Sequence, residues 1–181
     1  MTSMPPTSAP SNGLARRDLW FWSLFSSIAV VDFITKRIAE DKLALHVAKP
    51  VVGDFLRWTL TYNTGAAMNM SLGDASRWAF AAIACVMLVV IYRMYRQTDA
   101  ADRWQAMALG MIAGGALGNL IDRFRSVKGV VDFIDVGIHS SRFYVFNVAD
   151  SGVTIGAILL ALLLWRTPEA KNASSDSPPL V

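Results

Sequence analysis

Five carboxylates stand in surroundings that are otherwise apolar, and they are the residues best placed to do chemistry: Asp32, Asp122, Asp132, Asp135 and Asp150. An ionisable group at membrane depth is costly, so each needs a partner or a task. Two carboxylates held together in a partly dry site tend to share one proton. One can then act as a base on water while the other donates to a scissile carbonyl. That hydrolysis needs no metal, thiol or imidazole. Cys85 is the only cysteine and lies inside an apolar block, which excludes an intramolecular disulfide and a Cys-based zinc site and leaves an inert packing role. His46 and His139 fall far apart in polar segments, without the close spacing of a metal-binding helix. Neither a metal nor a cofactor is expected.

The neighbours of these carboxylates leave structural and catalytic roles both open. Lys36 follows Asp32 by four residues, so the two meet on one helical face as an ion pair that can snorkel toward the interface. The segment from Gly110 to Arg123 stacks two small-xxx-small spacings, which let helices approach closely, ahead of Asn119, Asp122 and Arg123 on one sector. The run Gly129-Val130-Val131-Asp132-Phe133-Ile134-Asp135-Val136 is too short to span and too greasy for a free loop, so it should lie at the interface against the helices. Asn147 reads as a helix cap with Asp150 in the first turn, where a carboxylate also favours the helix dipole. The residues alone do not choose among the five.

The elements that must position them are membrane spans. The chain of 181 residues is 54% hydrophobic and 17% charged, with a mean hydropathy of +0.38, too apolar for an ordinary soluble domain. Four apolar blocks, at about 19–39, 77–95, 104–121 and 146–165, approach the length a helix needs to cross the hydrocarbon core. Trp20, Trp22, Trp78, Trp104 and Trp165 fall at block ends, where an indole prefers to sit. The first block is too long for a signal-peptide core and lacks a cleavage site after it. Basic residues are scattered, not clustered in a stripe, which argues against nucleic acid as a partner. They also fall at similar density on both sides of the membrane, so charge alone does not orient the chain.

The fold class expected is therefore an all-α membrane protein with four transmembrane helices and a small extramembrane, β-containing cap between helices 1 and 2, at about 40–76. Within that cap Leu56, Trp58, Leu60 and Tyr62 alternate with Arg57, Thr59 and Thr61, the pattern of a strand with one apolar face. Residues 1–17 and 167–181, rich in Ser, Thr and Pro, read as disordered tails around a domain of residues 18–166.

Four motifs in order resemble those of the lipoprotein signal peptidases, or signal peptidase II: Tyr62-Asn63-Thr64-Gly65-Ala66-Ala67; Gly114-Gly115-Ala116-Leu117-Gly118-Asn119-Leu120-Ile121-Asp122-Arg123; Val130-Val131-Asp132-Phe133; and Phe146-Asn147-Val148-Ala149-Asp150-Ser151. The resemblance extends from about Asp32 to about Leu164. It implies an intramembrane aspartic endopeptidase in which Asp132 and Asp150 are catalytic. Asp32, Lys36, Asn63, Gly115, Asn119, Asp122, Arg123, Asn147 and Ala149 would support the site or bind substrate. It also implies diacylglyceryl-modified prolipoproteins as substrates, contact with membrane lipid, a monomer, and a bacterial inner-membrane location with both termini cytoplasmic and the active site toward the periplasm. One position departs from the family pattern: Phe33 stands where a Gln is usual, between Asp32 and Lys36. Two rivals remain: a Ser-Lys protease using Ser151 with Lys36 or Lys128, and a small transporter or scaffold lined by Asp32, Asp122 and Asp150.

Overall fold

The computed structural model describes residues 12–65 and 74–166. Four helices, α1 (Asn12–Lys42), α2 (Asp74–Gln97), α3 (Arg103–Arg125) and α4 (Val148–Arg166), are each long and apolar enough to cross a bilayer. They contain the four expected spans almost entirely, with α4 opening two residues later than its block. Residues 12–17, expected in the N-terminal tail, are instead the first turns of α1. The rest of that tail, the C-terminal tail and Ala66-Ala67 of the first motif lie outside the described residues.

Polar side chains at the helix ends show how the chain runs. At one end Arg17 of α1 donates to the Thr98 carbonyl just after α2, at 2.8 Å. At the other, Arg77 in the first turns of α2 donates to the Arg123 carbonyl, and to that of Phe124 at 3.2 Å, both in the last turn of α3. The Arg123 and Phe124 carbonyls have no partner within α3, so the Arg77 guanidinium satisfies groups that would otherwise be orphaned.

Helix α3 is the axis of the bundle, and it packs on each of the other three helices. Half of its span is buried, against 17% for each of the others. Small residues make that possible. A Cβ at Gly110 would stand 2.6 Å from the Phe21 carbonyl oxygen, and one at Gly114 the same distance from that of Phe25. The two overlapping glycines thus receive successive turns of α1 with backbone against backbone, as small-xxx-small spacing allows. On another side Gly115 abuts the Ala149 carbonyl of α4. Phe21, Ile91, Tyr95, Leu109 and Ile112 fill the space toward the terminal end, with Phe21 and Tyr95 stacked at 3.9 Å. The outer faces of α1, α2 and α4 stay apolar and exposed, as lipid-facing surfaces are; Cys85, expected to pack internally, lies on such a face of α2.

At the opposite end four antiparallel strands form one sheet in the order β1 (Lys49–Val52), β2 (Leu56–Asn63), β3 (Val130–Ile138), β4 (Ser141–Arg142). The alternating segment is β2, as expected. The run between α3 and α4, expected only to rest against the helices, is β3 and pairs with β2, placing Thr61 opposite Asp132 and Asn63 opposite Val130. The cap therefore draws on two of the three interhelical loops, those between α1 and α2 and between α3 and α4. Gly129, at φ +106°, turns the chain into β3 against the Asn63 carbonyl, where a side chain would not fit. Leu60, Val131, Phe133 and Ala39 of α1 form the core that seats the sheet on the bundle.

Gly114→Val forces a branched side chain into the Phe25 backbone. It is expected to lower stability by about 3 kcal/mol, read as a reduced unfolding midpoint of the purified protein in detergent.

Candidate active site

The site begins with how α4 starts. Asn147 accepts the Asp150 N–H through its Oδ1 at 2.9 Å, and the Asp150 carboxylate accepts the Asn147 N–H through Oδ2 at 3.2 Å. This reciprocal capping box satisfies two donors that a helix start would leave orphaned, and it fixes Asp150 in the first turn. The Asn147 amide then reaches across to β3, where its Nδ2 donates to Asp132 Oδ1 at 2.6 Å. Asn119 of α3 donates to Asp150 Oδ1 at 2.7 Å. Asp132 and Asp150, from different elements, are thus joined through one asparagine and steadied by a second.

Asp132 is 2% exposed. Burial, and next the charge of Asp150, push its carboxyl up to about 7, against the opposing hydrogen bonds of Asn147 and Asn63 and the charge of Lys36. Asp132 also lines a cleft of about 670 Å³ together with Thr61, Asn63, Phe80, Arg123 and Tyr144. Arg123 donates to the Asn119 carbonyl at 3.1 Å, and its guanidinium lies 5.6 Å from the centre of the Phe80 ring.

Beneath the pair lies a buried ammonium. Lys36 Nζ stands 2.7 Å from Asp32 Oδ2 and 3.1 Å from Asp122 Oδ2 as ion pairs, and donates a hydrogen bond to Asn119 Oδ1 at 2.9 Å. Its side chain is 1% exposed. The snorkelling expected for Lys36 does not occur, because two carboxylates and an amide meet it inside the bundle. The same acceptors hold backbone. Asp32 Oδ1 accepts the Ala149 N–H at 2.8 Å, another orphan of the α4 start, and Asp122 Oδ2 accepts the Val131 N–H at 3.1 Å, one residue before Asp132. A Cβ at Gly118 would lie 2.5 Å from the Asp32 carboxylate, so the absence of a side chain there makes room for the ion pair. Ala149 is fully buried against Gly115.

The structure thus brings Asp32, Lys36, Asn119, Asp122, Asp132, Asn147, Ala149 and Asp150 into one connected network, with Asn63, Gly115 and Arg123 at its border. Asp135 goes elsewhere: it accepts from Arg142 at 2.6 Å and Thr59 at 2.9 Å and ties β3 to its neighbours. Ser151 donates to the carbonyl of Asn147, the cap of its helix, at 3.1 Å, Lys36 is engaged by Asp32, Asp122 and Asn119, and the Lys128 ammonium lies over the Tyr62 ring at 5.2 Å, so this geometry does not form a Ser-Lys pair with either lysine. Sequence reasoning missed Arg77, because an arginine in the first turns of a span reads as an ordinary interfacial residue. Among the described residues no group of three or more His, Cys, Asp or Glu is placed to hold a metal ion.

Four membrane helices with two aspartates hydrogen-bonded to one asparagine at one end of the bundle are the layout of an intramembrane aspartic hydrolase. The model of the signal peptidase II family matches residues 24–166. The lipoprotein signal peptidase of Pseudomonas syringae pv. tomato is 39% identical over 175 residues, covering 94% of this chain and 99% of that protein. That of Ectopseudomonas mendocina is 46% identical, covering 84% and 93%. Among solved structures, a bacterial membrane enzyme determined at 1.9 Å superposes with a TM-score of 0.73 at 30% identity, covering 81% of this chain and 92% of that one. The chain belongs to the signal peptidase II family, and is accordingly a multi-pass peptidase of the bacterial inner membrane.

Lys36→Met would leave Asp32 and Asp122 buried without their shared cation. A loss of about 3–5 kcal/mol is expected in equilibrium unfolding in detergent, well beyond the effect of removing a surface lysine such as Lys128.

Proposed function

We propose that this peptidase removes the signal peptide from prolipoproteins by using Asp132 and Asp150 as a catalytic pair on one water molecule. The observation that carries the reading is the Asn147 bridge, which holds a carboxyl raised to about 7 beside a second carboxylate at the mouth of a cleft. With Asp132 protonated and Asp150 charged, Asp150 takes a proton from water as the oxygen attacks the scissile carbonyl. Asp132 donates its proton to the carbonyl oxygen; Asp150 then passes the proton it took from water to the amide nitrogen while Asp132 recovers one from a hydroxyl of the tetrahedral species, and the C–N bond breaks to release the amine of the new N-terminus. Asn147 Nδ2 donates to Asp132 Oδ1 and so fixes the orientation of that carboxyl toward the cleft.

The bond cut is the one before the diacylglyceryl-modified Cys. The acyl chains of that residue stay in lipid and hold the scissile bond near the end of the bundle, so membrane anchoring supplies much of the positioning. The cap roofs the cleft through Thr61 and Asn63, and Arg123 faces the substrate backbone or the groups near its lipid. Both termini lie in the cytoplasm and the cap on the periplasmic side, an orientation supported by the resemblance to the family. The polar network closes within one chain, which supports action as a monomer.

Purified protein in detergent is expected to cleave a diacylglyceryl-modified prolipoprotein in the presence of a chelator, and either Asp132→Asn or Asp150→Asn to lower kcat by roughly a thousandfold or more. A folded Asp132→Asn protein that cleaves at the wild-type rate removes Asp132 from the mechanism. In the wild type, kcat/KM falls as pH rises through about 7, because Asp132 then loses the proton it must donate.

The same shift has a stability consequence. Asp132 is raised in the folded state above the 3.8 of a free Asp, so the native protein binds more protons than the unfolded chain between about 4 and 7, and stability falls as pH rises across that window. Asp132→Asn removes this penalty. It is expected to raise the Tm relative to wild type at about pH 8, with the difference shrinking toward about pH 4.

A further inference from the structure

Adjacent residues of a strand face opposite ways, and on β3 this separates two cavities. Asp132 faces the catalytic cleft, whereas Phe133 lines a second cavity of about 290 Å³ behind the sheet. Its walls are the outer end of α1, through Ile38 and Ala39, Leu43 just beyond it, and the rings of Trp58 and Phe133, whose centres are 5.8 Å apart. Thr35 adds its hydroxyl, already donated to the Val31 carbonyl at 2.7 Å. The remaining two lining residues are lysines: Lys42, the last residue of α1, and Lys49, which sits opposite Trp58 across β1 and β2. Lys42 lies 2.8 Å from Asp41, but that pair is largely exposed and contributes little, so the ammonium is free to turn toward another anion.

The cavity therefore has a greasy interior at the membrane end of a span, a tryptophan in its wall and two cations at its rim. We propose that it binds an anionic glycerophospholipid, with a stretch of acyl chain against Ile38, Leu43, Trp58 and Phe133 and the phosphate between Lys42 and Lys49. Ile34 and Ile38 are exposed on the apolar face of α1, a membrane-spanning helix, so an acyl chain can reach the cavity along that face without crossing water. The charge matches an acidic headgroup, and a zwitterionic one gains less from two lysines. The site lies behind the catalytic strand and is separate from the residues that perform hydrolysis.

The test is native mass spectrometry of the full-length protein released from micelles, titrated with phosphatidylglycerol and phosphatidylcholine at matched concentration. Wild type is expected to retain one phosphatidylglycerol in preference to phosphatidylcholine. Lys42→Gln and Lys49→Gln are each expected to reduce that preference about fivefold, whereas Lys128→Gln, whose ammonium lies over the Tyr62 ring away from the cavity, leaves it unchanged. Glycerophosphoglycerol, the headgroup without its chains, is expected not to compete. The proposal is overturned by equal retention of the two lipids in wild type or by an unchanged preference in the Lys42→Gln/Lys49→Gln double variant. It is equally overturned if Lys128→Gln reduces the preference as much as either single change, or if the chain-free headgroup competes as well as the lipid.

Discussion

The Lys36 ammonium must be neutralised where water does not reach, and the groups that neutralise it also set the positions of both aspartates. Asp32, Asp122 and Asn119 each turn one acceptor to Lys36 and a further bond to a part of the site: Asp32 to the Ala149 N–H at the start of α4, Asp122 to the Val131 N–H of β3, and Asn119 to the Asp150 carboxylate. Charge compensation and alignment are one network here. A buried ion cluster is weak evidence for stability in itself, since desolvation offsets much of the attraction. In this fold it joins α1, α3, the start of α4 and β3 at one point.

That arrangement works against Asp132. A carboxyl excluded from water and placed beside another is held in a less favourable state than it would find in the unfolded chain. The offsetting stability comes from elsewhere in the bundle. The glycine seam between α1 and α3 and the stack of Phe21 on Tyr95 lie toward the terminal end, where no catalytic demand limits close packing. Arg77 and Arg17 then tie α2 to its neighbours at the two ends. The bundle thus divides along its length into a tightly packed apolar part and a polar part in which a buried carboxyl costs stability.

The spans, the glycine contact faces and the cap at Asn147 were legible in the sequence because each depends on local periodicity or spacing. Strand β2 was legible for the same reason, since one face is apolar and the other polar. Strand β3 was not: Val130, Val131, Asp132 and Phe133 are all buried, so the alternation that marks a strand is absent. The Asp32–Lys36 pair could be read from its spacing, but the long-range acceptors that keep Lys36 inside could not. Five carboxylates looked alike to physical reasoning, and only the family motifs singled out Asp132 and Asp150. The structure adds the reason that Asp135 differs from them: it is spent on Arg142 and Thr59, outside the network.

The most direct test of the shared-proton pair is an infrared titration of the carboxylic acid C=O stretch in purified protein, from about pH 5 to about pH 9. The account predicts a buried protonated carboxyl that ionises with a midpoint near 7 and is missing from Asp132→Asn. A spectrum with no such band above about pH 5, or a band that survives Asp132→Asn and disappears in Asp150→Asn, would contradict it.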